Sequence, residues 1–169
     1  MFDDAIHTAA AELLEVCKAR GLTIATAESC TGGLLAAALT DIAGSSAVME
    51  RGFVTYTDIS KQEMLGVPGE TLAKHGAVSR QTAEAMSQGA LVKAPVDLSV
   101  SITGIAGPGG ATPGKPVGLV HFAAASRSGE LHHHEAHFGD IGRSEVRRKS
   151  VLHALGMLQM LAESEQPRR

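Results

Sequence analysis

The stretch TIATAESCTGG (residues 23–33) joins a run of strand-forming residues to a pair of glycines. Its β-branched and small residues predict a buried strand over 22–27, and an Ala/Leu-rich run that follows predicts a helix over 34–42. Ser29 and Cys30, two potential nucleophiles, stand side by side at the turn between them. A buried strand that passes through a short polar turn into a helix is typical of α/β proteins, which bind ligands beyond the carboxyl ends of such strands.

Helix-like and strand-like segments alternate along the rest of the chain. Apolar residues at helical spacing from Ile6 onward predict a first helix, which Gly21 ends. Asp58, Ser79 and Ser144 are the expected caps of later helices. The later segments predict helices over 58–65, 70–74 and 79–93 and from 144 onward, and strands over 53–57, 97–103, 118–126 and 130–138. This order predicts an α/β fold, a three-layer α/β/α domain whose mixed β-sheet is parallel in the middle and antiparallel at one edge.

The composition is that of a folded globular protein. The chain has 169 residues, 44% hydrophobic and 20% charged, which suits a single domain over 1–169 with a frayed polar tail over 163–169. It has no Trp, one Tyr and a net charge of −3, so we expect no nucleic-acid partner. No apolar run approaches the roughly 20 residues of a membrane span, so we expect no membrane partner. Cys17 and Cys30 suggest no disulfide framework, which favours a cytoplasmic location.

A second predicted strand also ends in small polar residues and glycines. Thr103 is followed by GIAGPGG (104–110), within a segment rich in Gly and Pro. Close approach of the backbone to a ligand would explain so many glycines, although the segment matches neither the phosphate-binding loop nor the dinucleotide-binding fingerprint. Unpaired amides where the chain enters the helix after Ser29 would form a cradle for an anion or a developing oxyanion. The alternative is that both segments are ordinary turns and that Ser29 is a helix cap.

A serine nucleophile needs a neighbouring base. No histidine lies near Ser29 in the sequence, and the other known route pairs serine with lysine. Lys61 lies in the first turn of its predicted helix, where the helix dipole disfavours a cation and partial burial would lower its pKa. Tyr56, the only tyrosine, lies at the end of the preceding strand and could share a proton network with the pair. Taken singly, Lys61 is more simply a surface charge and Tyr56 a core aromatic residue.

The segment HHHEAH (132–137) raises the question of a metal site. On a strand, His133, Glu135 and His137 would lie on one face. The segment is expected at the edge of a hairpin, however, where polar residues usually face water. We therefore expect neither a metal ion nor a cofactor.

Several blocks of the sequence, in this order, resemble the CinA C-terminal domain family. They are AESCTGG (27–33), LTDIAGSS (39–46), RGFVTYTDISK (51–61), HGAVS (75–79), SITGIAGPGGATPGKPVGLV (101–120) and FGDIGRSEVRR (138–148). Together these blocks span almost the whole chain, and they are far more specific than any single glycine pattern. Because full-length CinA proteins carry a second, N-terminal domain, we expect this chain to resemble the stand-alone members, which are nicotinamide-nucleotide amidases.

This resemblance implies a reaction and a set of site residues. The reaction is hydrolysis of the carboxamide of nicotinamide mononucleotide to nicotinate mononucleotide and ammonia, which recycles pyridine nucleotides. The family's catalytic serine, lysine and tyrosine fall on Ser29, Lys61 and Tyr56. The implied substrate-binding residues are Cys30, Thr31, Gly32, Gly33, Thr103, Gly104, Gly107, Arg143 and Arg147.

Other assignments stay open at this level. GDIGR (139–143) replaces the compact Gly-Asp-Arg of many family members, which leaves open whether Arg143 or Arg147 contacts the substrate phosphate. The chain could instead be a binding or regulatory module in competence or DNA-damage responses. Cys30 could also be the nucleophile of a cysteine-dependent amidase, with Ser29 as a cap. Besides the small-molecule substrate, we expect a second copy of the chain as partner, with a dimer as the first guess.

Overall fold

The computed structural model describes residues 1–168. Within that range, helices and strands alternate as the sequence predicts. In chain order they are α1 (Asp4–Arg20), β1 (Ile24–Glu28), α2 (Leu34–Thr40), β2 (Met49–Val54), α3 (Asp58–Leu65), α4 (Gly69–His75), α5 (Arg80–Lys93), β3 (Leu98–Gly104), β4 (Leu119–Ser126), β5 (Leu131–His137) and α6 (Arg143–Ser164). A short 3₁₀ turn over Ser45–Ala47 lies between α2 and β2. None of the helices in residues 1–168 is long and apolar enough to cross a membrane.

The strands form one mixed sheet in the order β2-β1-β3-β4-β5. β1 is parallel to both β2 and β3, whereas β4 and β5 add an antiparallel edge. Glu28 at the end of β1 lies opposite Val54 of β2 and Ile102 of β3. The carboxyl ends of three parallel strands therefore meet at one edge, where α/β proteins bind ligands. The predicted mixed sheet with an antiparallel edge is confirmed.

Apolar layers cover both faces of the sheet. One cluster joins α1, α2 and α6, through side chains such as Leu13, Leu35 and Leu155, to Ile24 of β1. The other cluster joins α3, α4 and α5 to the next residue of the same strand, Ala25. Because successive side chains of a strand point to opposite faces, β1 is buried throughout. The expected three-layer α/β/α arrangement is confirmed.

The start of α3 differs from the prediction. Thr57, not Asp58, caps this helix, because the Thr57 hydroxyl accepts a hydrogen bond from the amide of Ser60 at 3.2 Å. Asp58 is instead the first helical residue. The preceding strand correspondingly spans Met49–Val54 rather than 53–57.

The other two predicted caps have different outcomes. Ser79 caps α5 as predicted, since its hydroxyl accepts a hydrogen bond from the amide of Thr82 at 3.1 Å. The prediction for α6 is wrong, because this helix begins at Arg143 and Gly142 takes the cap position. Ser144 therefore lies inside the first turn of the helix.

A buried carboxylate ties together the amino ends of β1 and β3. Oδ2 of Asp97 accepts hydrogen bonds from the amide and the hydroxyl of Thr23, at 2.8 and 2.9 Å. Nη2 of Arg168 lies 2.5 Å from the other carboxylate oxygen of Asp97. The predicted frayed tail (163–169) thus contacts the sheet through Arg168, and its last residue, Arg169, lies outside the described residues. The single-domain assignment stays a prediction.

Candidate active site

A cavity of about 290 Å³ opens at the edge of the sheet where β1 and β3 end. Its wall contains most of the residues that the sequence analysis singled out, together with others that it missed. The lining residues are Ser29, Cys30, Tyr56, Lys61, Ala77, Val78, Thr103, Gly104, Ile105, Ala106, Gly107, Gly109, Gly110 and Arg143. Thr31, Gly32, Gly33 and Arg147 are not part of this wall. A cavity of this kind, with convergent polar groups at strand ends, is a typical small-molecule site.

Lys61 and Ser29 meet inside this cavity. Nζ of Lys61 lies 3.2 Å from Oγ of Ser29 and donates a hydrogen bond to the carbonyl of Thr55 at 2.8 Å. The lysine is 1% exposed and the serine 8%. Within residues 1–168, Lys61 forms no salt bridge. Burial lowers the pKa of Lys61 and outweighs the nearby charge of Asp58, which acts in the opposite direction.

Cys30 has a different environment from its neighbour Ser29. Its side chain is buried, with 6% exposure, and burial raises the pKa of the thiol to about 11. A thiol with this pKa is protonated near neutral pH, and the thiolate is the reactive form. Of the two adjacent candidates, Ser29 is the one that lies within hydrogen-bond distance of an amine.

Arg143 and Tyr56 form one side of the cavity mouth. Arg143, the first residue of α6, donates hydrogen bonds to the Tyr56 hydroxyl and to the carbonyl of Gly107, both at 2.9 Å. Tyr56 is 58% exposed, so it is not the core aromatic residue of the simpler interpretation. Within residues 1–168, its hydroxyl makes no hydrogen bond to Ser29 or Lys61. The structure therefore places Tyr56 beside an arginine rather than inside the serine–lysine pair.

Arg147 lies one helical turn further along α6, behind the cavity wall. It donates a hydrogen bond to the carbonyl of Thr31 at 3.1 Å. Gly32 and Gly33 continue the same turn with φ angles of 59° and 98°, a region that residues with side chains rarely adopt. These glycines and Arg147 shape the turn that follows Ser29, and they do not line the cavity.

The amides at the start of α2 are not free, contrary to the expectation of an open anion cradle. The carboxylate of Glu28, which is fully buried, accepts hydrogen bonds from the amides of Leu35 and Ala36 at 2.9 and 3.1 Å. The expected cradle is therefore wrong for these two amides. In the turn itself, the amides of Cys30, Thr31 and Gly33 have no backbone hydrogen-bond partner within residues 1–168.

Side chains from several elements fix the backbone of segment 75–79, which forms another wall. The Thr103 hydroxyl donates to the carbonyl of Ala77 at 2.7 Å, and Nζ of Lys115 donates to the carbonyl of His75 at 2.6 Å. With these carbonyls engaged, Ala77 and its neighbour Val78 present an apolar surface to the cavity. Reasoning from the residues missed both, and the HGAVS block of the family resemblance was the signal that covered them.

The glycines after β3 allow the chain to fold closely onto itself. A Cβ atom at Gly104 would lie 2.8 Å from the carbonyl oxygen of Leu119. At Gly107, where φ is 82°, it would lie 2.6 Å from Cγ1 of Val117. This packing brings the backbone of the loop to the cavity edge, so part of its glycine content serves the loop's own fold.

The His-rich strand β5 lies at the opposite, antiparallel edge of the sheet. Nε2 of His133 lies 2.9 Å from Nδ1 of His121, and the other ring contacts of the strand include a stack of His134 on His153. None of the residues 132–137 lines the cavity. Among the described residues, no three His, Cys, Asp or Glu side chains are grouped so as to hold a metal ion. The absence of a metal requirement stays a prediction.

The fold and the serine–lysine pair thus define a small α/β protein with a candidate hydrolytic site at its strand ends. The family model for the CinA C-terminal domain matches residues 6–162. The chain belongs to the CinA C-terminal domain family.

Three proteins show how closely the family members agree. "Nicotinamide-nucleotide amidohydrolase PncC" of Escherichia coli (strain K12) is 50% identical over 159 residues, which cover 94% of this chain and 95% of that protein. The crystal structure of competence/damage inducible protein CihA from Agrobacterium tumefaciens has a TM-score of 0.94 and 52% identity, covering 97% of this chain and 99% of that chain. A CinA superfamily protein from Klebsiella pneumoniae has a TM-score of 0.90 and 37% identity, covering 95% and 99%.

Proposed function

We propose that this chain is an amidohydrolase that converts nicotinamide mononucleotide to nicotinate mononucleotide and ammonia. The observation that carries the proposal is the buried contact of 3.2 Å between Nζ of Lys61 and Oγ of Ser29 within a cavity at the strand ends. The E. coli relative, 50% identical over nearly the full length of both chains, is named a nicotinamide-nucleotide amidohydrolase. Acyl transfer needs a nucleophile, a base and donors for the oxyanion, and the cavity offers candidates for each.

Attack by Ser29 begins the proposed reaction. Neutral Lys61 accepts the hydroxyl proton of Ser29 at Nζ while Oγ bonds to the carboxamide carbon. The protonated lysine then gives that proton to the departing nitrogen, so the C–N bond breaks and ammonia leaves. The product of this half-reaction is an ester between the nicotinoyl group and Ser29.

Water completes the proposed cycle. Lys61, neutral again, accepts a proton from a water molecule as the water oxygen bonds to the ester carbon. The bond from the carbon to Oγ breaks, and Ser29 recovers its proton from Lys61. The amide and one water have then become nicotinate mononucleotide and ammonia.

Charge on the carbonyl oxygen requires donors that the protein does not already occupy. The amide of Cys30 follows the nucleophile directly, belongs to a residue of the cavity wall and has no backbone hydrogen-bond partner within residues 1–168. We assign it as the donor to the oxyanion, because preorganised backbone amides are effective in this role.

Arg143 is the proposed contact for the substrate phosphate. It lies in the cavity wall beside the exposed Tyr56, whereas Arg147 is engaged with the carbonyl of Thr31 behind the wall. A guanidinium at the mouth suits a phosphate, and Tyr56 would orient the arginine or the substrate. Binding energy at the phosphate would help to orient the amide against Ser29.

Ammonia release from nicotinamide mononucleotide tests the proposal. Free nicotinamide and glutamine serve as control substrates, and Ser29→Ala serves as the control protein. Folded wild type that releases no ammonia would instead favour a binding or regulatory role, in keeping with the name "competence/damage inducible protein" that the Agrobacterium relative carries. A cytoplasmic location, supported by the unpaired Cys17 and Cys30, and a homodimer are further parts of this proposal.

A further inference from the structure

We propose that Glu28 is a positioning residue for the reaction at Ser29, an inference that rests on the proposed function. Glu28 is the last residue of β1, is fully buried and directly precedes the nucleophile. Its two carboxylate oxygens each accept one hydrogen bond, from the amides of Leu35 and Ala36 in the first turn of α2. The side chain thus links the end of β1 to the start of α2 across the turn that contains Ser29.

The backbone around Glu28 is held as firmly as its side chain. Its carbonyl accepts a hydrogen bond from the amide of Thr55 at 2.8 Å, and the amide of Ser29 donates to the carbonyl of Ile102 at 2.9 Å. These bonds fix the end of β1 between its two neighbouring strands. The carboxylate then fixes the start of α2 relative to that point, which sets the course of residues 29–33. The direction of the Ser29 hydroxyl toward Lys61 follows from this course.

The carboxylate also decides which amides can serve the substrate. Free amides at a helix start attract anions, and a fully buried pair without partners would be costly. Because Glu28 occupies the amides of Leu35 and Ala36, the amides left without a backbone partner within residues 1–168 are in the turn, at Cys30, Thr31 and Gly33, and of these three residues Cys30 lines the cavity. Glu28 therefore directs an incoming oxyanion toward the amide of Cys30, which follows the nucleophile.

Glu28→Gln is the sharpest test, because it keeps the size of the side chain. An amide has one acceptor oxygen, and its NH₂ group would face the second backbone N–H, so the turn must shift. Misplacement of reacting groups by about 1 Å costs roughly 100-fold in rate. We expect kcat for nicotinamide mononucleotide to fall about 10- to 100-fold, with KM within about twofold of wild type because Arg143 is untouched. Glu28→Asp, one methylene shorter, should also lower kcat.

Asp97→Asn is the matched control. Asp97 is likewise a buried carboxylate that accepts a backbone hydrogen bond, but it lies at the amino ends of β1 and β3, away from the cavity. We expect both variants to lower Tm, and only Glu28→Gln to lower kcat. Glu28→Gln with a lowered Tm and wild-type kcat would show a purely structural cap and would overturn the proposal.

The experiment also separates this inference from the proposed function. Wild type that releases no ammonia from nicotinamide mononucleotide contradicts the proposed function itself. In that event the crystal structure of Glu28→Gln decides the positioning role. An increase in the distance of 3.2 Å between Oγ of Ser29 and Nζ of Lys61 supports the proposal, and an unchanged turn overturns it.

Discussion

Replacing Lys61 by arginine separates the positive charge of this side chain from its ability to accept a proton. Burial lowers the pKa of Lys61 and so favours its neutral form, whereas the guanidinium of arginine stays protonated. The site suits this comparison of charge with basicity, because Lys61 is 1% exposed and its Nζ lies 3.2 Å from the Ser29 hydroxyl that it would deprotonate. If the lysine is the base, Lys61→Arg should be nearly as damaging as Lys61→Ala.

The size of the expected loss follows from the role. A positioned general base contributes about 10²- to 10⁴-fold to a rate, which corresponds to roughly 3 to 5 kcal/mol of barrier. We expect kcat of Lys61→Arg to fall within this range. Binding should change much less, because the proposed phosphate contact is Arg143 at the mouth. Calorimetry on the Ser29→Ala background, with and without Lys61→Arg, measures affinity without turnover.

The pH dependence has a defined sign. Neutral Lys61 is the active form, so kcat/KM should rise with pH through the lowered pKa of the folded state and then level off. In the window between that pKa and the value of about 10.4 for an exposed lysine, the unfolded chain binds more protons than the folded chain. Stability should therefore rise with pH across this window. Below the folded-state pKa, the destabilisation caused by burying the protonated amine is present in full. Lys61→Met should lack this slope and unfold at a higher Tm than wild type near neutral pH.

Initial rates of ammonia release between mildly acidic and alkaline pH test the base assignment. Lys74→Arg, an exposed lysine in the last turn of α4, is the matched control and should keep wild-type kcat. If Lys61→Arg retains kcat within about tenfold of wild type, its loss is too small for a positioned base. Lys61 would then be an electrostatic contact, and the base would lie elsewhere.

Further predictions concern the nucleophile, the phosphate and the metal. Ser29→Ala should abolish turnover, whereas Cys30→Ser should keep most of it. An inactive Cys30→Ser protein would favour a thiol mechanism. Inactivation of wild type by a thiol-alkylating reagent is the second assay for that mechanism. Arg143→Ala should raise KM for nicotinamide mononucleotide about tenfold or more, which is the loss expected for one charge-assisted hydrogen bond. The low rate with free nicotinamide should not change. Equal kcat/KM for the two substrates in wild type would contradict phosphate recognition. Dialysis against EDTA should leave activity unchanged, and loss of activity that zinc restores would require a metal-assisted mechanism.

Local pattern was sufficient to predict the elements that surround the site. β1 and β3 are buried on both faces, so their sequences are short apolar or alternating runs that end at polar residues and glycines. Parallel pairing of these strands then brings Ser29 and Thr103 to the same edge. The errors lie at element ends, as at Thr57, where the side chain that forms the cap depends on local hydrogen bonds rather than on residue type alone.

Contacts between distant segments were beyond the sequence pattern. Arg143 and Arg147 lie one turn apart on α6, and only the packing of that helix places the first in the cavity wall and the second behind the turn. The hydrogen bonds of Glu28 were likewise not predictable from the local sequence. In the sequence it is a charged residue at the end of a buried strand, and nothing local indicates that it accepts hydrogen bonds from Leu35 and Ala36 in the following helix.

Several polar groups that weaken the fold lie where the proposed chemistry takes place. Within residues 1–168, the buried atoms without a protein hydrogen-bond partner include the hydroxyls of Thr31 and Thr55 and Nε of Arg147, which flank the turn after Ser29 and the carbonyl that holds Lys61. An unsatisfied buried polar group costs about 1–3 kcal/mol, and the desolvated amine of Lys61 adds to this. Apolar layers on both faces of the sheet offset these costs from elsewhere in the chain. Apolar replacement of Lys61 should therefore stabilise the protein and impair turnover together, because the buried amine weakens the fold while it contacts Ser29.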